Sequence, residues 1–87
     1  MCGIFGYIGK GVQLSQLIDG LSRLEYRGYD SCGVATLHKN RIFCKKQQGK
    51  IQRLRQSLGS ALHTESMACV LHTRWATHGK PSHANAH

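Results

Sequence analysis

Acidic side chains are scarce in this sequence. Four Asp and Glu stand against twelve Lys and Arg, which leaves a formal charge of +8 at neutral pH. There is a single proline, and no apolar run approaches the ~20 residues that a membrane-spanning helix needs. Residues 1–9 lack a basic start, and glycines interrupt their apolar residues, so they do not read as a secretory signal and a cytoplasmic location is expected. None of the four cysteines, Cys2, Cys32, Cys44 and Cys69, forms a C-x-x-C pair, and reduced thiols rather than disulfides are expected in that compartment. His83 and His87 have i, i+4 spacing, but Gly79 and Pro81 mark the segment as loop, so no metal and no cofactor is expected. The positive charge runs from Lys10 to Lys80 with no cluster longer than Lys45-Lys46. A small basic module for nucleic acid would account for the charge, and so would acidic residues elsewhere in a longer chain. The second fits the even spread better, so neither nucleic acid nor membrane is expected as a partner.

What is present has alternating and helical periods in turn. Residues 2–8 read as a strand, with Ile4, Tyr7 and Ile8 as β-formers. Leu14, Leu17, Ile18, Leu21 and Leu24 then recur at helical spacing, predicting a helix from about Val12 that ends near Gly28. Residues 33–38 and 41–47 read as strands joined by a tight turn at Lys39-Asn40. Ile51, Leu54, Leu58 and Leu62 make a second helical stripe interrupted at Gly59. Residues 67–73 read as a buried strand, and beyond Trp75 the periodicity stops. The order β-α-β-β-α-β predicts an α+β domain, with a mixed sheet that these helices cover on one face.

Three stretches carry groups suited to chemistry. If Met1 is removed, Cys2 has its thiol and a free α-amino group on one residue. A nucleophile and a base with a pKa near ~7.7–8.0 are then supplied together. The plain alternative is a small apolar residue opening a buried strand. In "LEYRGYDS", Arg27, Gly28 and Asp30 form a charged turn, either ordinary surface or a cation held near the thiol. In "HTRWATHGKPS", Arg74, Trp75, Thr77 and His78 crowd one loop. An arginine fork with hydroxyl and N–H donors suits a carboxylate, and a tryptophan supplies an apolar wall.

Taken together, "CGIFGYIG" after Met1, "LEYRGYDS" and "HTRWATHGKPS…NAH" resemble the start of the glucosamine-6-phosphate synthase family, the isomerizing glutamine–fructose-6-phosphate aminotransferases. The resemblance covers essentially the whole chain. It implies a partial αββα sandwich of the N-terminal-nucleophile hydrolase type, the N-terminal portion of a class II glutamine amidotransferase domain. It further implies Cys2 as nucleophile and Arg27 and Gly28 as the turn lining it. Arg74, Thr77 and His78 would be the grip on the carboxylate end of L-glutamine, and Trp75 a gate for ammonia. Fructose 6-phosphate would be a substrate only of the full-length enzyme, a homo-oligomer. Cys32 stands where that family usually has alanine, and Leu71 where a smaller residue is usual. The family's oxyanion-hole Asn-Gly pair, the aspartate for the glutamine amino group and the isomerase domain would all follow His87. The 87-residue chain is therefore expected to be inert by itself.

Overall fold

A computed structural model describes residues 2–75, 79, 80, 82, 84 and 86. Its elements are β1 (Gly3–Gln13), α1 (Leu14–Ser22), β2 (Ser31–His38), β3 (Arg41–Gln48), α2 (Ile51–Leu58) and β4 (Glu65–Arg74). Short 3₁₀ turns, Glu25–Arg27 and Gly59–His63, follow the two helices. The four strands form one sheet in the order β1-β4-β2-β3, and every neighbouring pair is antiparallel. The expected mixed sheet is therefore corrected: β1 and β2, joined through α1, run in the same direction but are not neighbours, because β4 lies between them antiparallel to both. β4 enters between β1 and β2, so its C-terminal end is flanked on both sides.

The apolar stripes do what their spacing predicts. Leu14, Leu17, Ile18 and Leu21 of α1, with Ile51, Leu54 and Leu58 of α2, are buried against Cys32, Val34, Cys69 and Leu71 of the sheet. Fully burying such a side chain is worth roughly 1.5–3 kcal/mol, so these eleven residues carry the fold. Leu71, the bulky residue in the third motif, is fully buried in this cluster and acts there as packing. The first helix is shorter than its stripe suggests, because Val12 and Gln13 complete β1 and the chain leaves α1 at Ser22. Gln13 offers no side-chain cap; instead the Leu14 N–H donates to Thr64 O at 2.8 Å, tying α1 to the start of β4. Lys39 and Asn40 both take positive φ (50° and 64°), as a two-residue type I′ hairpin turn requires.

The opposite face of the sheet is largely bare. Its cross-strand rows, read from the register, are Ile4–His72–Gly33–Lys46, Gly6–Val70–Ala35–Cys44 and Ile8–Ala68–Leu37–Ile42. Ile8 and Ile42 are 86% and 77% exposed, and Val70 is exposed as well. Residues 67–73 are thus buried on the face that the helices cover, as expected of a sheet covered on one side. One corner of the bare face is touched by the tail, where the Lys46 ammonium donates to Ala86 O at 3.1 Å.

Residues far apart in sequence fix the second helix. The Ile51 N–H, at the first turn of α2, donates to Glu25 Oε2 at 2.9 Å. Glu25 thus caps a helix 26 residues away, where Lys50 supplies no side-chain cap. Glu25→Ala is expected to lower stability by about 1 kcal/mol. Asp19→Ala, which removes the exposed ion pair with Arg55, should stay within about 0.5 kcal/mol. Denaturant unfolding of both variants checks this contrast.

Candidate active site

Gly3 lets the chain start deep in the fold. A Cβ at this position would stand 2.8 Å from both Leu24 Cβ and Thr73 Oγ1, so any larger residue would push β1 off the turn and off β4. Cys2 precedes it, exposed at the sheet's end, and Gly3 pairs with Thr73. The Trp75 N–H reaches the Cys2 Sγ at 3.4 Å. Cys2 also lines a shallow cavity of about 340 Å³ with Gly3, Ile4, Leu24 and Arg27. Cys2, Arg27 and the peptide following Arg74 therefore meet at one end of the sheet.

The turn between α1 and β2 is held against β4 by its backbone. The Asp30 N–H donates to Arg74 O at 3.1 Å, and the Gly49 N–H donates to Asp30 O at 2.9 Å. Gly28 is buried so tightly here that a Cβ would lie 2.7 Å from both Arg74 C and Trp75 N. Gly28 therefore positions the peptide that donates to the thiol. Arg74 is 6% exposed, and its Nη2 donates to Gly79 O at 3.3 Å. Trp75 meets Tyr29 edge-on with ring centroids 6.1 Å apart, and the Lys50 ammonium sits 5.5 Å from the Tyr29 centroid. The Arg27 guanidinium carbon lies 5.5 Å from the Tyr26 ring centroid.

Of the residues singled out from the sequence, Cys2, Arg27, Gly28, Arg74 and Trp75 thus come together. Thr77 and His78 lie outside the described residues, as do His83 and His87. Sequence reasoning missed Glu25 and Tyr29, although both sit inside the motif that named Arg27 and Gly28. It also missed that Trp75 contributes its main-chain N–H. Main-chain contacts leave no trace in residue type, except where a glycine makes room for them.

The remaining thiols behave differently. Cys44 is exposed on β3, whereas Cys32 and Cys69 are buried. Burial, reinforced by the Glu25 carboxylate, pushes the Cys32 thiol up to about 12, and its S–H points at Gly49 O, 3.7 Å away. Burial also raises Cys69, with the Ser66 and Thr36 hydroxyls pulling in the opposite direction. Although Cys32 is close in sequence to Arg27, it is a packing residue.

No family model matches the chain. Curated relatives do. The isomerizing glutamine–fructose-6-phosphate aminotransferases of Chlamydia trachomatis and Helicobacter pylori are 52% and 54% identical over all 87 residues. The chain spans only 14% and 15% of their lengths, a small N-terminal part. Among solved structures, the glutamine phosphoribosylpyrophosphate amidotransferase from B. subtilis superposes over the whole chain with a TM-score of 0.78 at 24% identity, using 18% of its own length. The fold is thus shared with part of that amidotransferase, represented here by one helix-covered sheet. In sequence, the chain is a relative of the N-terminal part of glutamine–fructose-6-phosphate aminotransferase, an enzyme.

Two outcomes test this site. At pH 8 a thiol with a pKa of about 12 is only ~10⁻⁴ thiolate, so alkylation should modify Cys2 and Cys44 quickly and Cys32 far more slowly, as peptide mapping would report. Because the folded protein holds the Cys32 proton above its ordinary value of 9.0, the folded state binds more protons than the unfolded one between about pH 9 and 12. Stability should therefore fall across that window, and Cys32→Ala should fall less steeply in parallel denaturant series.

Proposed function

We propose that this chain forms the N-terminal portion of a glutamine amidotransferase type-2 domain and carries the nucleophile that releases ammonia from L-glutamine. With Met1 removed, the Cys2 thiolate attacks the side-chain carboxamide carbon of glutamine. The resulting tetrahedral oxyanion collapses with loss of ammonia, and the α-amino group of Cys2 carries the proton from the thiol to the leaving nitrogen. Water then cleaves the γ-glutamyl thioester to glutamate and restores the thiol. Arg74 holds the glutamine carboxylate as a planar fork, assisted by Thr77 and His78, while Arg27 and Gly28 line the nucleophile and Trp75 gates the ammonia.

In the whole enzyme, cytoplasmic and homo-oligomeric, the ammonia aminates fructose 6-phosphate to glucosamine 6-phosphate in a separate isomerase domain. The observation that carries this reading is the Cys2 thiol lying under the Trp75 N–H beside a buried Arg74, in a chain about half identical to those aminotransferases. The bare sheet face agrees with it, since a sandwich needs a second sheet there. Losing one oxyanion donor costs on the order of 10²–10³ in rate, and the 87 residues alone are expected to turn glutamine over at least that much more slowly than a whole glutaminase domain.

The test is a chimera in which this chain replaces the N-terminal 87 residues of a curated relative. Glutamine hydrolysis should persist and fall on the order of 10³-fold or more in Cys2→Ala. Arg74→Lys should raise the KM for glutamine, because an ammonium cannot reproduce the fork. Hydrolysis that survives Cys2→Ala would overturn the assignment. Turnover by the isolated 87-residue chain as fast as the chimera's, and lost in Cys2→Ala, would overturn its incompleteness.

A further inference from the structure

A cavity larger than the one at Cys2 is present among the described residues. It lies at the other end of β4, nine residues or about 30 Å of strand away, as a basin of about 760 Å³. Leu37 and Met67 supply its apolar surface, and Lys39, His63 and Glu65 stand around it. Behind it is a smaller chamber of about 140 Å³, lined by Leu14, Thr36, His38, Phe43, Ala61 and Thr64. His38 and Thr64 line both spaces, so chamber and basin adjoin.

The chamber's polar groups are already engaged. The Thr36 hydroxyl is bonded to that of Ser66, His38 Nδ1 is 3.1 Å from Glu65 O, and the Thr64 N–H donates to Ala61 O at 3.0 Å. Its apolar lining is Leu14, Phe43 and Ala61. An apolar void near ~150 Å³ is the size that accepts one benzene ring. Outside it, the type I′ turn with Asn40 places the Lys39 backbone at the rim, and the chain's charge of +8 draws anions toward it. The one carboxylate at the rim, Glu65, lies against Gly11, which also lines the basin, so it stands on the β1 side of the space while Lys39 stands on the hairpin side.

We propose that this cleft is a binding site, separate from the glutaminase site, for a small carboxylate with a compact aromatic or branched aliphatic body. The body fills the chamber and the carboxylate meets Lys39 in the basin. The site does not rest on the glutaminase reading, because it shares no residue with it.

Benzoate tests the proposal on the full 87-residue chain, with ¹H–¹⁵N NMR shifts as the readout and benzene and benzyl alcohol as companions. Benzoate should give saturable shifts confined to residues 36–43 and 61–67, with a Kd on the order of 1–10 mM. Lys39→Gln should weaken benzoate about 2- to 5-fold and leave benzyl alcohol unchanged. Ala61→Leu, which fills the chamber, should abolish saturation by benzoate and benzene alike.

Absence of saturable benzene shifts in the wild-type chain would overturn the chamber. So would unchanged benzoate binding in an Ala61→Leu variant with a native-like spectrum. Benzoate shifts spread over the basic residues at large, or an affinity indifferent to Lys39→Gln, would overturn the carboxylate half. The wild-type benzene titration and the Lys39→Gln comparison decide both halves even if Ala61→Leu does not fold.

Discussion

The turn at residues 25–30 lies against the peptide joining Arg74 to Trp75 so closely that a Cβ on Gly28 would stand 2.7 Å from atoms on both sides of that bond. The approach brings the Asp30 N–H onto Arg74 O, and with that carbonyl fixed the same peptide aims its N–H at the Cys2 thiol. Gly3 performs the matching service on the other side, letting β1 begin between Leu24 and Thr73. Two missing side chains thus bring three distant segments to one point. Neither contact buries much apolar surface, so the helices have to hold the sheet rigid for the arrangement to last.

That rigidity comes from the other end of the physics. Leu17, Ile18 and Leu21 of α1 and Leu54 and Leu58 of α2 press on the same face of the sheet as Val34 and Leu71. Glu25 links the two parts, since its carboxylate caps α2 while its backbone belongs to the turn that presents Arg27 and Gly28. The same carboxylate helps keep the Cys32 thiol protonated. The molecule therefore separates an exposed thiol at the site from a buried one that takes part only in packing.

Much of this is legible in the residues, and the reasons differ by element. The helical stripes and the Lys39-Asn40 hairpin rest on local spacing and local φ preference, which a sequence displays directly. Sheet order does not: β4 pairs with β1 and β2 through residues dozens apart, and no local pattern predicts that it slips between them. The end of α1 is hidden because Leu24 continues the stripe, yet the chain has already turned and Leu24 packs beside Gly3 instead. Residues 67–73 carry apolar residues on both faces, and the sequence does not show which set the helices cover; Cys69 and Leu71 are buried and Val70 is exposed. At the site, Cys2, Arg27, Gly28, Arg74 and Trp75 are readable from their motifs. The main-chain donor that joins them is not.

For one residue to supply both nucleophile and base, Cys2 must carry a free α-amino group. A 1,2-aminothiol condenses with an aldehyde to a thiazolidine, and an internal cysteine does not. Intact mass of the chain expressed in bacteria and treated with glyoxylate is therefore the most direct measurement. The expected result is a mass lacking Met1 and one adduct per chain, absent in Cys2→Ala. A chain that keeps Met1 and forms no adduct would contradict the mechanism.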